Sequence, residues 1–162
     1  MRSVVLLSGG LDSTVNLYES QKSGEVALAL TFDYGQRSAE KEIFAAQKIA
    51  GHLKILHKVV SLDFFKDFGT SSLVDQNLKL PLSHDVAIDD LSTSQATAKS
   101  VWVPNRNGIF LNIAAGFAET LKAENVVPGF NLEEALTFPD NTQGFLDQLT
   151  ASFFFSTSNK VH

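Results

Sequence analysis

Short, nearly unbroken apolar runs alternate along this chain with segments of helical spacing, and few folds accept that order. Ser3–Leu7 and Val26–Phe32 (VALALTF) hold hardly a polar residue, the mark of strands covered on both faces. Ile55–Val60 and Val126–Phe130 are candidates for the same role. Asp12–Ser23 reads as a helix that stops at Gly24. Ser38–Ala50 reads as another, with Ile43, Ala46, Ala50 and Leu53 spaced to share a face and Gly51 near its end. Leu62–Phe68 is expected to form a short helix and Gln143–Phe155 a weaker last one. Asn107–Leu121 sets Ile109, Ile113, Phe117 and Leu121 four apart, which predicts an amphipathic helix. This grammar predicts an α/β fold, an open parallel sheet with helices on both faces and right-handed crossovers. Ligands in such sheets lie beyond the carboxyl ends of the strands. Ser8-Gly9-Gly10, Asp33-Tyr34-Gly35 and Gly129-Phe130-Asn131 all fall there, so these polar loops are expected to share one rim.

The 162 residues, 44% of them hydrophobic, suffice for a single domain over 1–162. Within it, 69–103 is rich in Ser, Thr and Asp and lacks periodicity; a loop of that length is a candidate lid. Lys160-Val161-His162 reads as the entry to another strand, so a protein truncated at its C-terminus is one reading of the chain. A formal net charge of -5 argues against direct nucleic-acid binding over the whole domain. With no cysteine, the chain builds neither a disulfide nor a thiolate metal site. The leading MRSVVLL is shorter than a signal-peptide core of roughly seven to fifteen apolar residues. No membrane association is expected, and the expected location is cytoplasmic.

The first loop carries the chemistry. Gly9 and Gly10 permit positive φ and let backbone N–H groups approach an anion unobstructed. The helix starting near Asp12 adds its positive dipole end, and Ser8, Ser13 and Thr14 add hydroxyl donors. The spacing is neither the Walker loop, since no lysine follows the glycines, nor G-x-G-x-x-G. A glycine-rich turn with Asp12 as a plain helix cap is the simpler alternative.

Ser8–Ser13, SGGLDS, resembles the S-G-G-x-D-S signature of the PP-loop ATP pyrophosphatase superfamily, whose members use ATP to activate a carbonyl or carboxyl oxygen. TFDYGQR at 31–37 and VPNRNGIFL at 103–111 resemble signatures of the 7-cyano-7-deazaguanine synthase family of queuosine biosynthesis. VVPGFNLEEALTFP at 126–139 resembles that family's G-V-N-x-x-D-x-x-G-Y-P segment. The resemblance covers nearly the whole chain in the family's order. It implies an adenine nucleotide alpha hydrolase-like, Rossmann-like fold and a ligase that makes 7-cyano-7-deazaguanine from the 7-carboxy compound, ammonia and ATP. The implied cofactors are ATP and Mg²⁺; zinc is also implied, but the family's C-terminal cysteine cluster has no counterpart here. The family's arginine after Y-P-D-C is missing as well, where Asp140-Asn141-Thr142 stands.

Carried onto this sequence, the resemblance implies ATP contacts along Leu7, Ser8, Gly9, Gly10, Leu11, Asp12, Ser13, Thr14, Val15, Asn16 and Leu17, with Asp33 beyond the second strand. Asp12, Ser13 and Arg106 are the candidate catalytic residues, and Tyr34, Arg37, Asn131, Glu133 and Asp140 the candidate substrate contacts. Each has a plainer reading. Arg37 and Arg106 could clamp oxyanions bidentately or be surface cations. Asp12 could face the ribose or a hydrated Mg²⁺, or cap its helix. Asp33 could orient a ligand or form a turn. Glu133-Glu134 could accept from the guanidine-like edge of a deazaguanine or be an exposed acidic pair. His52, His57, His84 and His162 lack metal-ligand spacing, and no metal-binding residue is assigned. Phe153-Phe154-Phe155 covers more than one helix face; a homodimer contact and a further C-terminal segment are the candidate partners.

The residues leave open AMP with pyrophosphate or ADP with phosphate as products. Rival readings are another PP-loop amidating or thiolating enzyme, and a regulatory module that binds ATP without turning it over. A thiolase would need cysteines and a basic RNA face, which this sequence lacks.

Overall fold

The computed structural model describes residues 1–68 and 101–162. Most of the candidate lid at 69–103 lies outside the described residues. The elements are β1 (Arg2–Leu6), α1 (Leu11–Ser23), β2 (Glu25–Asp33), α2 (Ala39–Leu53), β3 (His57–Ser61), α3 (Arg106–Thr120), β4 (Asn125–Val127), α4 (Leu132–Ala135) and α5 (Gln143–Ser156). Short 3-10 helices occupy Asp63–Phe68 and Pro139–Asn141. The strands pair in parallel in the order β3-β2-β1-β4. The chain steps outward from β1 to β3, then returns to the other side of β1. That reversal leaves a crevice at the carboxyl ends of β1 and β4, where doubly wound sheets take their ligands.

Side chains of β1 alternate between the faces. Val4 and Leu6 join a core with Leu30, Phe32, Phe110 and Ala114, while Val5 and Leu7 join one with Leu17, Ala29, Ala46 and Ala50. Thus α1 and α2 cover one face and α3 the other, as expected of helices on both faces. The α1/α2 face is rich in alanine, which lets the helices sit close to the strands. The opposite face is filled by aromatic rings, with Phe32 stacked on Phe110 at a 4.2 Å centroid separation.

The unbroken look of VALALTF conceals an irregularity. Between Ser3 and Val4 the register with β2 slips, from Ser3 opposite Val26 to Val4 opposite Leu28. One extra residue in β2 reverses the phase of the pleat. Val26 therefore packs on the α1/α2 side, while Leu28, Leu30 and Phe32 pack on the other.

Several boundaries differ from the sequence-based expectation. Helix α2 runs through Gly51 to Leu53 and ends on Lys54 in the left-handed region, φ 56°. The apolar contact of Ile49 and Leu53 with the core carries the helix past the glycine. Strand β4 stops at Val127 because Pro128 has no N–H for the ladder. In α3, Phe110, Leu111, Ala114, Ala115 and Ala118 are the buried hydrophobic residues, and Ile109, Ile113, Phe117 and Leu121 flank them. The alanines allow close approach to β1 and β4, so the wider side chains fall on the borders of the contact. Lys160-Val161-His162, expected to enter a strand, does not form one, though His162 bonds to the backbone beside β4. His162 N–H donates to Glu124 O at 2.9 Å, and Val126 N–H donates to His162 O at 2.6 Å. None of the described helices is long and apolar enough to cross a membrane.

Candidate active site

A cavity of about 370 Å³ opens at the crevice, lined by Ser8, Gly10 and Asp12 from the first loop, Tyr34 after β2, and Gly129 and Phe130 after β4. The three loops expected at one rim do meet there. Gly9 has φ 80°, and a Cβ on it would lie 2.7 Å from the Ala45 Cβ and 3.0 Å from the Glu42 carbonyl. Only glycine lets the loop turn this tightly under α2. A Cβ on Gly129 would lie 3.0 Å from the Ser13 Cβ, so the loop after β4 presses on the first turn of α1.

Hydroxyl groups hold the loop in shape. Ser13 Oγ donates to Gly10 O at 3.1 Å and lies 3.1 Å from Ser8 Oγ. Ser8 N–H donates back to Ser13 Oγ at 3.3 Å, and Thr14 Oγ1 donates to Gly10 O at 2.7 Å. The first helical N–H groups, at Leu11 to Ser13, have no intrahelical acceptors by geometry, an arrangement that suits an anion. Gly10 occupies the N-cap without a side-chain cap bond. Asp12 is therefore not a helix cap: its carboxylate accepts from Asn131 Nδ2 at 2.9 Å.

On the other wall, Arg106 opens α3 and its Nη1 donates to the Tyr34 hydroxyl at 3.4 Å. Burial pushes the Tyr34 phenol up from its ordinary value, with the Arg106 charge opposing the shift. Tyr34 is fixed from behind by Gln36, whose Oε1 accepts from Tyr34 N–H at 3.0 Å while its Nε2 donates to Glu42 at 2.9 Å. Beside Arg106, Asn107 Nδ2 donates to Asn141 Oδ1 at 2.7 Å, and Asn141 Nδ2 donates to Glu134 Oε2 at 2.8 Å. Thr31 lies on the cavity floor, donating to Leu7 O at 2.5 Å and paired with His57 Nε2 at 2.8 Å.

Several expected contacts belong elsewhere. Leu17 is 0% exposed in the α1/α2 core, and Val15 lies outside the cavity on the exposed side of α1. Asn16 donates to Pro128 O at 3.0 Å, tying α1 to the loop after β4. These residues sit beyond the first turn, where helical rotation carries side chains away from the anion. Asp33 Oδ1 accepts from Gly35 N–H at 3.1 Å, so its carboxylate forms the turn. Glu133 and Arg37 are exposed and outside the lining. Glu134, one position on, faces the cavity instead. Asn131 uses both ends of its amide on the protein, accepting from Glu134 N–H at 2.8 Å as well as donating to Asp12. Asp140 stands behind the wall near Arg106 and Asn107; burial pushes its carboxyl up, and the Arg106 charge opposes this. Asn107, Asn141, Glu42 and Phe110 were missed by sequence reasoning. Asn131-x-x-Glu134 carried a legible signal, the spacing of a capping box.

The donor set fits a phosphate at the loop and Mg²⁺ on the Asp12 carboxylate. It does not fit zinc: there is no cysteine, and no group of three His, Asp or Glu converges among the described residues.

Fold and site together define a PP-loop nucleotide-binding domain of the α/β class. A solved structure titled a predicted subunit of tRNA methyltransferase from Methanocaldococcus jannaschii shares the fold, with a TM-score of 0.54 and 18% identity over 94% of this chain and 63% of that one. The profile described as "Queuosine biosynthesis protein QueC" matches residues 2–162. Relatives named 7-cyano-7-deazaguanine synthase include one from Bdellovibrio bacteriovorus, 61% identical over 98% of this chain and 69% of its own length. Another, from Pelotomaculum thermopropionicum, is 51% identical over 99% of this chain and 73% of its own length. One from Methanosarcina barkeri is 42% identical over 99% and 71%. The chain belongs to the QueC family.

Proposed function

We infer that this chain is an ATP-dependent ligase converting 7-carboxy-7-deazaguanine and ammonia to 7-cyano-7-deazaguanine. The observation that carries the reading is one cavity joining the SGGLDS loop to Arg106 and an aromatic wall. In the proposed path the substrate carboxylate attacks the α-phosphorus of ATP, the α–β bridge breaks, and pyrophosphate leaves. Backbone N–H groups of the loop and first turn of α1 stabilise charge on the departing phosphates. Mg²⁺ on Asp12 would neutralise further phosphate charge. Asn131 keeps the Asp12 carboxylate turned toward the loop, and Ser13 keeps the loop closed on itself. Arg106, steered by Tyr34, offers its guanidinium to the reacting carboxylate or α-phosphate. Ammonia then attacks the acyl carbon and AMP leaves, giving the amide. A second ATP then adenylates the amide oxygen with release of a second pyrophosphate, and departure of AMP with that oxygen and loss of protons gives the nitrile.

The cytoplasm is the proposed location, small molecules the proposed partners, and no nucleic-acid contact is needed for this chemistry. The exposed Phe154 and Phe155 offer a face for the expected homodimer, which sedimentation at graded concentrations would test.

The test is turnover with the acid, ammonium, ATP and Mg²⁺. Nitrile should accumulate with AMP, and heavy oxygen from the carboxylate should appear in AMP. ADP with phosphate would replace the adenylate route, and tight ATP binding without nitrile would favour the regulatory module.

A further inference from the structure

The far side of the cavity carries an ordered relay that the ATP loop does not use. Asn107 is buried, and its amide donates to Asn141, whose own amide donates to Glu134. Both ends of Asn141 are therefore committed, which fixes the direction of the relay. Its last member is a carboxylate, held as an acceptor at Oε2 and leaving Oε1 without a protein partner among the described residues. Glu134 is held a second time through its backbone, by the Asn131 side chain that also bonds Asp12. It lines the same cavity as the aromatic side chains Phe32, Tyr34 and Phe110, of which Phe32 and Phe110 are stacked and Tyr34 is tilted to Phe110.

An aromatic wall suits a planar ring, and a preset carboxylate suits an edge bearing two N–H donors. A guanine-like edge presents a ring N–H beside an exocyclic amine. An adenine edge presents its amine beside a lone pair, which a carboxylate repels. Resting on the substrate reading above, we propose that Glu134 is the specificity-determining acceptor for the 2-amino and ring N–H groups of the deazaguanine. The Asn107–Asn141 relay holds it in place.

The experiment compares wild-type protein with Glu134→Gln, an isosteric change at an exposed side chain, so the fold is retained. Affinity is measured by calorimetry for 7-carboxy-7-deazaguanine, for the analogue lacking its 2-amino group, and for ATP with Mg²⁺. Wild type should favour the amino compound, and Glu134→Gln should weaken it roughly 10- to 100-fold, the range for a hydrogen bond to a charged group. ATP affinity should be unchanged, and discrimination between the acids should vanish. Equal binding of 7-carboxy-7-deazaguanine by variant and wild type would overturn the proposal while leaving the substrate reading intact. So would equal weakening of both acids, which marks a general structural effect. Wild type that binds ATP but neither acid would sink the substrate reading and this proposal with it.

Discussion

A methyl group on Gly9 would meet the Ala45 Cβ at 2.7 Å, and the residue sits at φ 80°, so strain and collision act together. Gly9→Ala is expected to cost about 1–3 kcal/mol in urea unfolding and to weaken ATP binding at least tenfold, measured by titration. Leu17 gives the opposite expectation. It is fully buried away from the cavity, so Leu17→Ala should cost about 2–5 kcal/mol while the KM for ATP stays near wild type. His57 supplies a pH dependence. The Thr31 hydroxyl hydrogen goes to Leu7 O, so the His57 ring nitrogen is the donor in their pair. Burial lowers the His57 pKa from the ordinary 6.5, and the fold therefore favours the neutral ring. That stability is complete above pH 6.5 and is lost as pH falls through the depressed value. His57→Gln should flatten this part of the curve of unfolding midpoint against pH below 6.5. At this scale the loop glycines and Arg106 were legible because their residue types and local order announce them. The Asn107–Asn141–Glu134 relay was not, because its members meet across an interval of 34 residues.

At the level of elements, the first turn of α1 and the start of α3 aim their amino ends at the same crevice. The sequence revealed α1 through its stop at Gly24 and α3 through its apolar spacing, but spacing could not rank the stripes of α3. Burial falls on Ala114, Ala115 and Ala118, small residues whose value lies in close approach and which a hydrophobicity pattern undervalues. The phase reversal in β2 was likewise hidden. A run apolar at nearly every position carries no record of which side chain faces which way. Thr142 caps α5 by accepting from Phe145 N–H at 3.2 Å, and Thr142→Ala should lower stability by about 1 kcal/mol in thermal unfolding. That loss should leave the affinity for ATP unaltered, since Thr142 is absent from the cavity wall.

For the molecule as a whole, the sheet is a shared wall between two cores, and the site lies where its topology reverses. ATP with Mg²⁺ at about one hundred times its Kd should add about 2.7 kcal/mol of stability. For a domain of this size that corresponds to a rise in Tm of roughly 5 to 11 °C by scanning calorimetry. Gly9→Ala should abolish most of the rise. The order of strands and helices, the glycine turn after β1 and membership of the QueC family were all written in local sequence. Short-range sterics and hydrogen bonding act between neighbours in the chain, so residue types and their spacing record them. Which side chains line the cavity was decided only by the tertiary fold. Helical rotation turned Leu17 into the core and placed Glu134 rather than Glu133 at the wall. Parallel pairing of β1 with β4 then brought Asn131 within 2.9 Å of Asp12, a juxtaposition that exists only once the sheet has closed.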